Sequence, residues 1–338
     1  MNEQKDEVAM LSRTANAIYW MSRYIERAEN VARAIDVNHH MMLDMPGRGN
    51  QQWMPLVTTT GDHADFIERY QSAEREHVIE FMTLDPKNPN SIASCIFTAR
   101  ENARGVRPAI SGDMWEYINR FYLMLKESTT LETALNATYE FCTRVRECCH
   151  LVNAATDSTM SHGEPWRFAQ LGRMLERADQ TSRILDVKYF ILLPAVEYVN
   201  TPLDSLQWSA LLKSVSGYAM YRRDYGRIDP HNVVKFLLLD DGFPRAVRFC
   251  VAACEDSMRA ITGSPRGTHQ NEAERLLGRL RAQLDYQQIR EIMNSGLHEY
   301  LDQVQSEINA IDSEIYAAFF QVHGAQAQTQ TQTQTQVA

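Results

Sequence analysis

One fifteen-residue stretch occurs twice in this chain. The segment RYIERAENVARAIDV, at residues 23–37, returns as RMLERADQTSRILDV, at residues 173–187, with seven of the fifteen positions identical. Most of the remaining positions carry close exchanges, such as Glu29 for Asp179. A repeat of this kind indicates an internal duplication, in which each copy of a structural unit covers the apolar faces of the other.

The similarity between the two halves extends beyond this stretch. The repeated helix has an offset of 150 residues, whereas residues 51–70 resemble 206–225 at an offset of 155, and residues 88–107 resemble 229–248 at an offset of 141. The sequence therefore predicts two helical repeats that pack about a pseudo-twofold axis, followed by a polar tail that is too simple in composition to fold. The predicted boundaries are 8–160, 161–323 and 324–338.

Apolar residues recur at three- and four-residue spacing in almost every long segment, and alternating strand patterns are absent. This periodicity is typical of amphipathic helices, so we predict an all-α fold. The pattern predicts twelve helices, among them four continuous ones at 52–70, 131–160, 202–225 and 271–294.

The composition argues against several classes of protein. The 338 residues include 34 basic and 43 acidic side chains, for a formal charge of −9, which argues against a nucleic-acid partner. The charged first ten residues do not form a secretory signal, and no apolar run approaches the roughly 18 residues of a membrane span. We therefore expect a cytoplasmic protein without a membrane partner, whose six scattered cysteines are reduced thiols in helices.

The repeated helix carries an apolar stripe and an opposite polar face. The apolar side has changed between the copies, for example from Tyr24 to Met174, whereas the arginines of the polar face are retained. A solvated face needs only polarity, so arginine would exchange freely with lysine there. The retained residue types therefore indicate a face that is partly buried and held in a fixed geometry.

Three interpretations of this polar face stay open. It is a solvated surface, a set of charge pairs between the two repeated helices, or the lining of a substrate cleft. The second interpretation pairs Glu26 with Arg177, and Glu176 with Arg27.

The Arg-x-x-Glu-Arg-Ala motif at residues 23–28 and 173–178 resembles the signature of the bacterial Alpha-E family, and residues 221–250 resemble its second characteristic segment. The resemblance covers residues 10 to about 322. It implies a duplicated helical domain encoded beside ATP-grasp ligase-like proteins and transglutaminase-like peptidases, and thus a part in peptide synthesis or modification. The first copy departs from that second segment, with CIFTAREN where the second copy has FLLLDDGFP, so a site that uses Asp240, Asp241 or Arg245 would be asymmetric.

We expect a non-ATP-binding component that binds or presents a peptide or aminoacyl substrate to such a ligase. Its substrate-binding candidates are Arg23, Arg27, Arg33, Arg173, Arg177, Arg183 and Arg245. The competing hypothesis is an enzyme of amide-bond transfer or hydrolysis, with Glu26 and Glu176 as catalytic candidates in a cleft between the repeats. Structural pairing is expected of Glu29, Asp36, Asp179 and Asp186.

The sequence predicts neither a metal site nor a cofactor. Adjacent His39 and His40 point about 100° apart on a helix, so they cannot both face one ion. The Glu74-x-x-His77 pair has no counterpart in the second copy. No glycine-rich phosphate loop of either common pattern is present, so the chain alone is not expected to bind ATP.

Overall fold

The computed structural model describes residues 12–44, 53–190 and 202–321. These ranges contain sixteen α-helices and no strand, so the all-α prediction is confirmed. The first eight helices are α1 (Ser12–Asp44), α2 (Met54–Thr60), α3 (His63–Arg69), α4 (Arg75–Thr83), α5 (Ile92–Gly105), α6 (Gly112–Ser128), α7 (Leu131–Asn136) and α8 (Thr138–Thr159). The other eight are α9 (Glu164–Phe190), α10 (Pro202–Ser214), α11 (Tyr218–Tyr225), α12 (Pro230–Leu239), α13 (Val247–Thr262), α14 (Glu272–Tyr286), α15 (Ile289–Ser295) and α16 (Leu297–Ile315). The predicted tail lies outside the described residues.

Each of the four continuous helices named above is broken into two. α2 ends at Gly61 with φ 83°, and α10 is followed by Ser216 with φ 54°, both in the left-handed region that terminates helices. The other two breaks fall at Ala137 and Gln287, whose backbones leave the helical region. The four predictions of continuous helices were wrong, because apolar periodicity reports the buried face and does not detect a turn of one or two residues.

The two long helices α1 and α9 lie at the centre of the molecule. α1 packs on α5, α8 and α9, and α9 packs on α1, α13 and α16. Most of each apolar stripe is fully buried, as Ile18 and Ile35 show in α1 and Leu171 and Leu185 show in α9, while Tyr24 is partly buried. Because each long helix has neighbours on several sides, its polar face is also largely covered.

The contacts of the first eight helices recur among the last eight. α5 and α8 pack on α1 as α13 and α16 pack on α9, while α2 crosses to α9 and α10 crosses to α1. An aromatic cluster also recurs, with Tyr70 stacked on Phe66 in the first half and Tyr225 stacked on Tyr221 in the second, 155 residues later. A duplicated unit would produce such recurrences; the duplication, its boundaries and its pseudo-twofold axis stay predictions.

The 155-residue interval continues into α5 and α13. The thiol of Cys95 donates a hydrogen bond to the carbonyl oxygen of Pro89 at 3.8 Å, and Cys250 donates to Pro244 at 3.5 Å. These contacts match Asn90 with Arg245, each one residue before the N-cap of its helix. The alignment of residues 88–107 at an offset of 141 was therefore wrong, because it pairs α5 with α12 instead of α13.

Candidate functional site

The repeated polar faces meet where α1 and α9 approach each other. Gly172 of α9 lies against the backbone of Tyr19 in α1, and a Cβ at Gly172 would collide with the carbonyl oxygen of Tyr19. The absence of a side chain there permits the close approach of the two helices. Side chains from one helix can therefore reach carboxylates on the other.

The carboxylate of Glu176 in α9 is held by two arginines from α1. Arg27 makes a two-pronged contact, with Nε 2.7 Å from Oε1 and a terminal nitrogen 3.0 Å from Oε2. Arg23 adds a third donor, 2.9 Å from Oε2. Each arginine has a further partner, because Arg27 donates to the Asn90 side chain at 2.6 Å and Arg23 pairs with Asp312 at 2.5 Å.

The carboxylate of Glu26 in α1 is held by two arginines from the second half of the chain. Arg177 of α9 makes the same two-pronged contact, at 2.9 and 2.7 Å. Arg245, which precedes α13, supplies the third donor at 2.8 Å and also reaches Asn30 at 2.9 Å. The pairs Glu26 with Arg177 and Glu176 with Arg27, expected from the sequence under the second interpretation, are both present.

Glu29, one turn along α1, extends the cluster around Glu26. Its Oε1 accepts hydrogen bonds from Arg33 at 2.6 and 2.9 Å and from Arg245. Arg33 also donates to the hydroxyl of Ser216, and the ring of His150 lies 3.3 Å from the same Glu29 oxygen. Glu29 thus has several donors on one oxygen.

Asp179 occupies the corresponding place in α9 and has fewer partners. Arg183 donates to its Oδ2 at 2.8 Å. The other carboxylate oxygen, Oδ1, is buried and has no hydrogen-bond partner among the described residues. Arg183 itself passes close to Gly61, at the break after α2.

The remaining sequence candidates have partners outside the central carboxylates. Arg173 pairs with Asp157 at 3.1 Å and does not contact Glu26. Asp36 pairs with Arg146 at 3.1 Å and lies near His40. Asp186 accepts a hydrogen bond from His298 at 2.6 Å, and this contact raises the pKa of the His298 ring.

The carboxylates of Glu26 and Glu176 are ionised and shielded from solvent. The side chains of Glu26 and Glu176 are completely buried. Burial alone would raise the pKa of Glu176, but Arg27 and Arg23 together lower that pKa to about 2. Arg177 and Arg245 likewise overcome burial and hold the pKa of Glu26 below its usual value. A carboxylate with a lowered pKa and occupied lone pairs is a weak proton acceptor.

Two cavities adjoin the charged faces. The smaller, of about 130 Å³, lies on the Glu176 side and is lined by Arg23, Arg27, Asn90, Asp179, Gln180 and Arg183. The larger, of about 300 Å³, lies along the C-terminal half of α1 and is lined by Arg33, Asp36, His40, Arg146 and Lys213, together with apolar side chains. Arginines of the repeated faces line both cavities, whereas the carboxylates of Glu26 and Glu176 line neither.

Sequence reasoning missed several members of the cluster. Asp157 and Asp312 pair with Arg173 and Arg23, and they lie 155 residues apart. The interval that matches the aromatic clusters would have found this pair. Asn90 was missed because the 141-residue offset matched it with His231 instead of Arg245.

Within the residues that the structure describes, no group of three or more histidine, cysteine or acidic side chains is arranged to hold a metal ion. In the same part of the chain, no helix combines the length and apolar character required to cross a membrane. The six cysteines are free and lie in α5, α8 and α13. Burial raises the pKa of the Cys95 and Cys250 thiols to about 12, so neither is an activated nucleophile.

Comparison with known proteins gives a family and no reaction. Uncharacterized proteins of Mycobacterium bovis and of two strains of Mycobacterium tuberculosis are 20% identical to the chain over 320 residues, which cover 88% of it. The match covers 35% of their length, so the chain spans about a third of these relatives. No solved structure matches the chain significantly. A family model described as a predicted alpha-helical domain with a conserved ER motif matches residues 10–320, and the chain therefore belongs to the Alpha-E family.

Proposed function

We propose that this chain is a non-ATP-binding component of a bacterial peptide synthesis or modification system. Its partners in this proposal are an ATP-grasp-type ligase and a transglutaminase-like protein, as the family resemblance implies. Its task is to bind or present the peptide or aminoacyl substrate. Family membership supports this general context, and the geometry of the charged faces supports binding over catalysis.

The observation that carries this choice is the complete burial of Glu26 and Glu176. A general base must come within hydrogen-bond distance of the proton that it removes. Both carboxylates are instead surrounded by guanidinium groups, from the opposite long helix and, for Glu26, also from Arg245. The alternative, amide-bond transfer or hydrolysis by either glutamate, would require these ion pairs to open.

The larger cavity is the part of the surface that best suits an anionic group of a substrate. Arg33, Arg146 and Lys213 contribute three positive charges to its lining. Arg33 pairs with Glu29 and Arg146 with Asp36, so the three cations exceed these two acidic partners by one charge. Its volume of about 300 Å³ lies at the lower end of the range for small-molecule sites. We propose that it holds a carboxylate or a related anionic group of the peptide or aminoacyl substrate.

The test is mass spectrometry of peptides made by the ligase-like and transglutaminase-like partners with and without this chain. We expect a modified peptide that requires the chain, and a lower yield with Lys213→Met than with Lys235→Met, an exposed lysine on α12 that serves as the control. Identical products in the presence and absence of the chain would contradict the proposal.

Catalysis by the glutamates predicts a different outcome in the same assay. If Glu176→Gln keeps its melting temperature and binds the peptide but forms no product, the enzyme hypothesis replaces the binding hypothesis. If Glu176→Gln lowers both the melting temperature and the yield of product, the role of Glu176 is to stabilise the folded protein and not to catalyse the reaction.

A further inference from the structure

The Glu26 and Glu176 clusters differ at several positions, and one of these differences, Asn90 against Arg245, lies beside a cavity. Asn90 and Arg245 each follow a proline whose carbonyl oxygen accepts a thiol hydrogen bond, and each precedes the N-cap of a helix that packs on α1 or α9. The two residues thus occupy matching places in the two halves. One is a short amide, and the other is a long cation.

Arg245 shows what fits at this place. One terminal nitrogen of its guanidinium donates to Glu26 at 2.8 Å and to Asn30 at 2.9 Å, and the other donates to Glu29. The guanidinium therefore joins three acceptors on successive turns of α1.

Two of the three corresponding acceptors of α9, Asp179 and Gln180, line a cavity that no counterpart of Arg245 fills. Glu176, Asp179 and Gln180 correspond to Glu26, Glu29 and Asn30 at the 150-residue offset. Asp179 and Gln180 line the cavity of about 130 Å³, and Asn90 forms part of its wall. This volume accommodates several water molecules or a planar guanidinium group.

The unpaired oxygen of Asp179 indicates the kind of ligand. The residue is 7% exposed and its Oδ1 has no donor among the described residues, although a buried carboxylate oxygen normally has one. Arg23 and Arg27, on the opposite wall, already donate to Glu176, and Arg183 already donates to Asp179. Among the described residues, the group that lacks a partner is thus an acceptor on a residue that lines the cavity, which favours a cationic donor over an anion.

Charge also permits a cation there. In the open cluster three arginines face three acidic side chains, namely Arg23, Arg27 and Arg183 with Glu176, Asp179 and Asp312. The filled cluster contains the matching six residues and Arg245 in addition, namely Arg33, Arg173 and Arg177 with Glu26, Glu29 and Asp157. The fold therefore accommodates one guanidinium more than the open cluster contains.

We propose that the cavity between Asn90 and Asp179 binds the guanidinium group of a ligand, in the manner that Arg245 occupies the other cluster. The ligand class is an arginine side chain of a peptide or an aminoacyl group. The site itself follows from the two clusters, while the identification of its ligand as a peptide rests on the proposed function. Exposed Asn309 at the rim shows that the cavity reaches solvent.

Isothermal titration calorimetry of the full chain with L-argininamide tests the proposal directly. The matched control is L-citrullinamide, which has the same shape without the positive charge. We expect argininamide to bind at least ten-fold more tightly than citrullinamide. Equal affinities, or no binding of argininamide, would overturn the proposal.

Two variants locate the binding. Asn90→Arg places in the cavity the residue that the other half already has, so it should raise the melting temperature and abolish argininamide binding. Asn294→Arg, at an exposed position on α15, should leave the binding intact. Asp179→Asn should weaken binding at least ten-fold because it removes the carboxylate. If both Asn90→Arg and Asp179→Asn bind argininamide as the unaltered chain does, the site lies elsewhere and the proposal is wrong.

This measurement needs no partner protein. Argininamide binding without any chain-dependent peptide product would leave the site standing and contradict the proposed function. A chain-dependent product without argininamide binding would support the proposed function and contradict the guanidinium site.

Discussion

The clusters around Glu26 and Glu176 have the same plan and different completeness. Each glutamate accepts two hydrogen bonds from one arginine of the opposite long helix, in a bidentate contact. Around Glu26, the guanidinium of Arg245 also joins Glu29 and Asn30. Around Glu176, Arg23 supplies the third donor, and Asp179 lines a cavity and has one oxygen without a partner among the described residues. One cluster is closed by the chain itself, and the other retains capacity for a ligand.

The repeated Glu-Arg motif fixes the relative position of α1 and α9 in both clusters, and in the Glu176 cluster it also adjoins the cavity proposed to bind a ligand. Buried ion pairs contribute little net stability compared with apolar packing, but an isolated buried charge is costly. The crossed pairs therefore favour one relative position of α1 and α9, since a shift of either helix would strand several charges at once. That constraint is present in both clusters. The cavity lined by Asn90 and Asp179 lies beside the Glu176 cluster, whereas the Glu26 cluster adjoins the larger cavity through Arg33.

The largest predicted effect follows from removing Glu26. Glu26→Gln leaves Arg177 with one other hydrogen bond, to the carbonyl of Pro244 at 3.3 Å, so we expect a loss of roughly 3–5 kcal/mol in the free energy of unfolding. Glu176→Gln should cost less, roughly 2–3 kcal/mol, because Arg23 keeps Asp312 and Arg27 keeps Asn90. Urea denaturation measures both values.

The control for this pair is Glu116→Gln. Glu116 is an exposed residue of α6 that pairs with Arg120 one turn along the helix. Its replacement should change the free energy of unfolding by no more than about 0.5 kcal/mol. An equal loss for Glu26→Gln and Glu176→Gln would mean that Asp312 and Asn90 do not compensate Arg23 and Arg27 for the loss of Glu176.

Acid should destabilise the protein through these carboxylates. The pKa of Glu176 is about 2 in the folded chain and has an ordinary value of 4.5 when unpaired. Its contribution is therefore fully present above about pH 4.5 and is lost as the pH falls toward 2. A difference of this size corresponds to roughly 3 kcal/mol. Urea denaturation between pH 2 and pH 6 should show a shallower acid loss in Glu176→Gln, and an unchanged slope in that variant would contradict the assignment.

The smallest predicted effect compares Glu29 with Asp179. Glu29→Gln should cost about 2–3 kcal/mol, because it removes the shared acceptor of Arg33 and Arg245. Asp179→Asn should change stability by less than about 1 kcal/mol, since burial raises the pKa of Asp179 and the neutral amide avoids that penalty.

The effect of Asp179→Asn on stability should depend on pH, and the raised pKa of Asp179 gives the direction. A carboxyl with a raised pKa in the folded state binds more protons there than in the unfolded state, so its contribution to stability falls as the pH rises above 3.8. Thermal denaturation at pH 4 and pH 7 should show Asp179→Asn gaining on the unaltered chain at the higher pH. A large loss in Asp179→Asn at pH 7 would indicate that the open cluster is as fully paired as the closed one.

Much of this arrangement could be read from the sequence. Three- and four-residue periodicity gave the all-α class, and the retained Glu and Arg of the two copies gave the pairs Glu26 with Arg177 and Glu176 with Arg27. Arginine at a two-pronged contact cannot be exchanged for lysine without loss of one hydrogen bond, so residue type carried geometric information there.

Other parts could not be read in this way. The breaks at Ala137 and Gln287 depend on the backbone of single residues, which apolar periodicity does not report. The cavity arises because Asn90 is short where Arg245 is long, and this contrast becomes visible only when the two are matched at the 155-residue interval. The partner of Arg23, Asp312, lies nearly 300 residues away in α16 and is recognisable only when it is matched with Asp157 at the same interval.

A double-mutant cycle on Glu26 and Arg177 tests most directly whether the crossed pairs couple the two long helices. The free energy of unfolding is measured for Glu26→Gln, for Arg177→Met and for the double variant. We predict that the double variant loses at least about 1.5 kcal/mol less than the sum of the single losses, because the second change removes a charge that the first has already stranded. Losses that add to within about 0.5 kcal/mol would show that the two residues do not stabilise each other, and would contradict the crossed-pair description of this fold.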